Sequence, residues 1–112
     1  MMRRLIRTDG TVIDFTHPVP YRRVAELIGA ALTDVVILRH MGEPTHVMVV
    51  DDLGYETVEV NHGGGVFENR CVKARKPVNE EATRLYHLNC VPGVTHQVVG
   101  DVMVVPDADY AD

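Results

Sequence analysis

The chain has 112 residues, of which 46% are apolar and 24% charged, and its formal net charge at pH 7 is −5. That composition suits one globular domain burying roughly two-thirds of its unfolded surface, and the acidic balance argues against a general nucleic-acid binder. No apolar run approaches the ~20 residues of a membrane span, and serine is absent, which excludes a serine-nucleophile mechanism built from these residues.

The start lacks the apolar centre of a signal peptide, because Arg7, Thr8 and Asp9 follow only Leu5 and Ile6. A cytoplasmic protein is therefore expected, with Cys71 and Cys90 as free thiols in a reducing compartment. Charge is unevenly spread. Arg70, Lys73, Arg75 and Lys76 cluster without an intervening acid, whereas Asp101, Asp107, Asp109 and Asp112 make the end acidic.

In chain order, residues 3–7 and 11–15 predict a hairpin around Thr8-Asp9-Gly10, a tight-turn signal. Pro18 and Pro20 break the second strand, since neither can donate a ladder hydrogen bond, and Pro20 suits a first helical turn. Val24, Leu27, Ile28 and Ala31 then recur at helical spacing and predict an amphipathic helix over about 20–32. Gly29 would sit inside it at a cost of ~1 kcal/mol relative to alanine, with close helix-to-sheet approach as the reason. Val35–Leu38 and Val47–Val50 read as buried strands joined by a turn at Met41-Gly42-Glu43-Pro44. After a turn at 51–54, residues 57–60 alternate as a half-exposed strand would. Asn61-His62-Gly63-Gly64-Gly65 reads as loop, and Val66 to Pro77 has poor periodicity.

A second helix is expected over 80–89. Asn79 is a good N-cap, Glu80 and Glu81 sit in the first turn, where the macrodipole favours negative charge, and Glu80 with Arg84 stand at i, i+4. Ala82, Leu85 and Tyr86 form its inner face, and Pro92-Gly93 ends it. Gln97–Val105 predicts a strand with Gly100 at a bulge or a close backbone approach. Residues 106–112 are expected to be a frayed acidic tail. The order ββαββ(β)αβ implies one α+β domain over 1–112: a mostly antiparallel sheet of five or six strands with two helices on one face. Val35–Leu38 and Val102–Val105 are apolar on both faces, and two helices on one side cannot cover both. Either the sheet curls or a second chain covers the rest, so a homodimer is a live expectation.

Asn79-x-x-Ala82-Thr83, Leu85-Tyr86 and Val98-Val99-Gly100-Asp101-Val102-Met103-Val104-Val105 carry a resemblance. They resemble the tail of small phage and mobile-element proteins grouped as domain-of-unknown-function family 3846. Leu27-Ile28-Gly29, Val35–Leu38 and Val49-Val50-Asp51-Asp52-Leu53-Gly54 agree more loosely. The resemblance covers most of the chain and rests largely on turn, cap and core residues. It implies a phage-like origin, with an actinobacterial host among the possibilities, and no active site to carry over. Residues 61–76 depart from the family pattern and are longer and more basic.

Four chemistries can be weighed. Cys71, His87, Cys90 and His96 are a permitted zinc set, but Cys71 lacks the short-spaced companion such sites use, so buried thiol and surface imidazole are the favoured readings. His62-Gly63-Gly64-Gly65 resembles a lipase oxyanion loop in letters alone. Without a serine, or the helix and Lys-Ser/Thr of a P-loop, it reads as a flexible hairpin tip. Arg70, Lys73, Arg75 and Lys76 beside those glycines could hold a phosphate-bearing ligand. With no aromatic between Val72 and Pro77 for base stacking, a solvated basic edge strand is preferred, and nucleic acid is not expected. Cys71 or Cys90 with His62, His87 or His96 could pair as nucleophile and base, and Asp51-Asp52 and Glu80-Glu81 are adjacent acids, but none has a catalytic set's spacing.

The expectation is a non-enzymatic accessory protein without cofactor or metal, acting in the host cytoplasm by binding, foremost to a host protein. The alternative is a nucleotide or phosphate-ligand module using 61–76, and a minor enzyme or zinc protein is the third. Any ligand or partner site would draw on His62, Gly63, Gly64, Gly65, Arg70, Lys73, Arg75 and Lys76.

Overall fold

A computed structural model describes residues 3–40 and 43–110. The elements are β1 (Arg4–Ile6), β2 (Val12–Asp14), α1 (Tyr21–Ile28), β3 (Thr33–His40), β4 (Glu43–Asp51), β5 (Tyr55–Gly63), β6 (Val66–Ala74), α2 (Glu80–Leu88) and β7 (Val102–Pro106). A 3-10 turn over Asp107–Asp109 follows. The fold is α+β, and every strand pairing between these elements is antiparallel. The strands do not form one sheet. Five of them order as β2-β1-β7-β4-β3, while β5 and β6 make a separate two-stranded ribbon.

The helices lie on opposite faces of the five-stranded sheet, not on one as the element order suggested. Side chains alternate along a strand. Leu5, Val47, Val49, Met103 and Val105 therefore pack with Val24 and Ile28 of α1. Ile6, Leu38, Met48, Val102 and Val104 pack with Ala82 of α2. β7 is apolar throughout because it is the central strand and is buried on both faces. Fully burying each large side chain is worth roughly 1.5–3 kcal/mol. With a helix on each face, the sheet does not itself demand a second chain. What stays open lies on the two edge strands, where Val12 of β2 and Val35 and Ile37 of β3 are exposed.

Several boundaries differ from the sequence expectation, each for a local reason. α1 ends at Ile28, and Gly29 terminates it at φ +68 instead of sitting within it. Gly29 N–H donates to Glu26 O at 3.2 Å and Ala30 N–H to Ala25 O at 2.9 Å, the two bonds of a Schellman cap. Residues 61–65 are mostly strand: only Gly64 and Gly65 form the turn, and β6 takes up the stretch with poor periodicity. Its periodicity is poor because no core draws one of its faces inward. The strand expected over 97–105 begins only at Val102. Before it, Val99 makes an isolated bridge with Val78, and Gly100 takes φ +79 where a Cβ would sit 2.9 Å from Lys76 Cδ. The close approach is real, and its partner is a side chain.

Arg84 pairs with Glu81 at i, i+3 (Arg84 Nε to Glu81 Oε2, 2.9 Å), not with Glu80. The tail is structured over its described part. Asp109 accepts two hydrogen bonds from Arg3, at 2.7 and 3.0 Å. Tyr110 hydroxyl donates to Val19 O at 2.9 Å, and its ring meets Tyr21 edge-on at 5.1 Å. Residues 111 and 112 of that tail lie outside the described residues, as do Met41 and Gly42 of the expected β3–β4 turn; Glu43 and Pro44 belong to β4.

Asn79 is the buried polar centre of the fold, at 0% exposure. Its Oδ1 accepts the Ala82 N–H at 3.1 Å, which caps α2. Its Nδ2 donates to Ile6 O at 2.9 Å and to Gly100 O at 3.0 Å. Its backbone N–H donates to Val98 O at 2.8 Å. One amide thus joins β1, the approach to β7 and the start of α2.

Candidate functional site

The stretch singled out in sequence, 61–76, is one arm of the ribbon and the return from it. β5 leaves the sheet after the turn at Asp52-Leu53-Gly54, and β6 returns to it where Arg75 N–H donates to Gly54 O at 2.8 Å. The sequence makes a ribbon here because two runs with β propensity flank a glycine turn. Gly63, Gly64 and Gly65 take φ of +82, +61 and +79, a conformation that residues with a Cβ rarely adopt. The domain measures 50 × 31 × 29 Å. Beyond its base the ribbon makes no extended contact with another element among the described residues.

All nine residues of β6 are exposed, and in β5 only Tyr55 and Val60 are partly covered. The exposed residues include Val58, Val66, Phe67 and Val72, with 45–57% of each accessible. Cross-strand partners share a face. The register therefore puts Val58 with Arg70 and Val60 with Glu68 on one face, and Glu59 with Asn69 and Asn61 with Phe67 on the other.

The basic residues named above do not converge. Arg70 Nε and Nη2 donate to Glu68 at 3.2 and 3.1 Å, and His62 Nε2 lies 2.8 Å from the same carboxylate. These contacts, the Arg70 hydrogen bonds first, hold the Glu68 carboxyl below the usual carboxylate range. Lys73 stands across from Glu56. Lys76 Nζ is 2.5 Å from the Asp51 carboxylate, whose side chain is 5% exposed, and donates to Gly29 O at 3.0 Å. It is a tie between ribbon base, β4 and α1. At ~3.3 Å per residue, Arg70 and Lys76 lie on the order of 20 Å apart along the chain. Among the described residues, no atom beyond the adjoining residues lies within 4 Å of a Cβ built on Gly63, Gly64 or Gly65, so these glycines stand clear instead of forming a cradle.

A cleft of about 250 Å³ opens at the ribbon base between β3, β4 and the segment before β7; Asp34, Val36, Tyr55, Tyr86, His96 and Val98 are among its walls. His96 lies 5.2 Å from the Tyr55 ring and 6.0 Å from that of Tyr86. Tyr55 hydroxyl donates to Gln97 O at 2.5 Å. Burial first, and then the nearby Cys71, raises the Tyr55 phenol. A hydrogen bond with Cys90, then burial, raises that of Tyr86. Sequence spacing carries no signal for this cluster, because its rings come from three separate segments.

His87, Cys90 and His96 meet around Tyr86, with His87 Nε2 at 2.6 Å from His96 O, while Cys71 stays on the exposed ribbon. Among the described residues, no three His, Cys, Asp or Glu side chains form a group able to hold a metal ion. No helix among them is long and apolar enough to cross a membrane. No protein-family model, no curated protein and no solved structure matches the chain.

Proposed function

We propose that this chain is a phage-type accessory protein that acts by binding rather than by catalysis, with the β5–β6 ribbon as the arm that engages a host protein in the host cytoplasm. The support is one observation: a strand pair exposed on both faces and along both edges that carries Val58, Val66, Phe67 and Val72 in solvent. A lone two-stranded ribbon is marginally stable in water, and an open edge with apolar residues is a ready template for added strands or a docking protein. The resemblance to domain-of-unknown-function family 3846 supports the phage-type origin. Residues 61–76, where the chain departs from that family pattern, fall on this ribbon and its return.

A phosphate-ligand role has less support. Arg70 and Lys76 are engaged by Glu68 and Asp51, and the ribbon carries three acids (Glu56, Glu59, Glu68) against two permanent cations (Arg70, Lys73). The test is excision. Replacing residues 58–70 with Asn-Gly joins the register partners Thr57 and Cys71 by a two-residue turn and leaves the core untouched. The variant is expected to melt at the same temperature and to lose stoichiometric capture of its host partner. Undiminished capture by the folded variant would refute the role of the arm.

A further inference from the structure

β6 and β5 differ as edges in a way that selects a partner. A two-fold axis normal to a sheet pairs two copies of one strand antiparallel, so each residue meets its reflection through the central one and faces are preserved. β6 reads Val66-Phe67-Glu68-Asn69-Arg70-Cys71-Val72-Lys73-Ala74. Centred on Asn69, Glu68 meets Arg70 of the second copy, and Arg70 meets its Glu68. Val66 lies on that same face; Val72, the extra residue of a bulge between Thr57–Cys71 and Glu56–Lys73, ends the regular alternation and the matched stretch. On the other face Phe67 meets Cys71.

Neighbouring registers lose this match. A centre at Arg70 sets arginine against arginine, and a centre at Glu68 sets glutamate against glutamate. A centre at Cys71 places Asn69 against Lys73 and Glu68 against Ala74. β5 offers nothing comparable, because its permanent charges are Glu56 and Glu59. Its one register that opposes Glu56 to His62 also opposes Glu59 to its own copy. Val66 and Val72 at the two ends of this edge are exposed, at 57% and 53%.

We propose that the β6 edge docks a second copy of this chain in the register centred on Asn69, giving a four-stranded β5-β6-β6-β5 platform across a two-fold axis. The occupant is argued from charge complementarity that is self-consistent in one register of one edge: each Arg70, already 3.1 Å from its own Glu68, is shared with the Glu68 of the second copy, so the two in-chain pairs become one four-charge network. The proposal rests on the ribbon being an interaction arm. It deepens that role, because the paired ribbons leave both β5 edges and the faces bearing Val58 and Phe67 free for a third protein.

The test is sedimentation of the full chain and of two single charge reversals. Glu68→Arg and Arg70→Glu each place like charges across the seam twice, so each is expected to weaken self-association by on the order of tenfold or more. Mixed together, they are expected to form a dimer as tight as the native one, since one copy then presents two arginines at the seam and the other two glutamates. Both positions lie outside the core, so unchanged melting of each variant confirms that folding is not the cause. A native chain that stays monomeric overturns the proposal, as does a dimer that both reversals leave intact or a mixture that fails to associate. Host-protein capture lost on ribbon excision, found together with a monomeric native chain, would sink the pairing and leave the interaction arm standing.

Discussion

Asn79 can be tested in a way that separates a helix cap from a structural knot. As a cap alone it is interchangeable with aspartate, because both offer an oxygen to the first-turn amides. In the fold its Nδ2 also donates to Ile6 O and Gly100 O at 2.9 and 3.0 Å, in a position with 0% exposure. Asn79→Ala removes the cap, worth about 1 kcal/mol, and the shared donor of two buried carbonyls, worth roughly 1 kcal/mol each. The expected loss is roughly 3 kcal/mol, a melting temperature lower by on the order of 10 °C for a domain of this size. Asn79→Asp keeps the cap but turns a donor into a second acceptor facing two carbonyl oxygens. Its loss is expected to equal or exceed that of alanine, at roughly 3 kcal/mol or more. Urea unfolding with unchanged m-values would read both numbers. An aspartate variant within ~1 kcal/mol of the native protein would refute the network and reduce Asn79 to a cap.

Lys76→Ala is expected to cost roughly 2 kcal/mol, because it strips the cation from the little-exposed Asp51 carboxylate and leaves it the Leu53 N–H, while Lys73→Ala should stay within ~0.5 kcal/mol. Equal effects in chemical denaturation would contradict the structural role of Lys76. Gly54→Ala places a Cβ 2.8 Å from Val99 Cγ2 and 3.2 Å from Asp51 O in a buried turn, so a loss of about 1–3 kcal/mol is expected from a melting curve. Tyr110 provides a pH dependence. Burial first, then Asp109 and Tyr21, push its phenol up to about 12 from an ordinary 10.0. A pKa raised on folding stabilises below the unfolded value, so this contribution is complete below pH 10 and lost as pH rises from 10 to about 12. Ultraviolet titration of Tyr110→Phe should lack the latest-ionising tyrosine, and a native profile in that variant would contradict the assignment.

What could be read from residues alone was whatever local chemistry decides. The first hairpin at Asp9-Gly10, the α1 stripe at Val24 and Ile28 and the Asn79 cap all declare themselves within one turn of chain. The placement of the helices did not, because nothing local to α1 or α2 says which sheet face each takes. That choice follows from β7 lying at the sheet centre, a long-range pairing of Val102–Pro106 with β1 and β4. Gly29 was misplaced because an αL cap and a helix-interior glycine look alike when Ala30 and Ala31 continue the apolar pattern. At the candidate site, the glycine tip was legible, but the extent of the ribbon was not: a strand pair without a core imposes no inward-facing period on Glu68, Asn69 or Arg70. The basic cluster was a cluster in sequence only. Glu68 and Asp51 claim two of its members, and Asp51 is distant in the chain from Lys76.

The most direct test of the ribbon as the binding arm is site-specific photo-crosslinking inside the host. A photoreactive residue would replace Phe67 on the ribbon in one variant and the exposed Arg22 on α1 in another. The expected result is that the Phe67 probe traps one host protein, alongside any second copy of the chain, and the Arg22 probe traps none. A host protein trapped from Arg22 and not from Phe67 would contradict the assignment of the ribbon as the interaction surface.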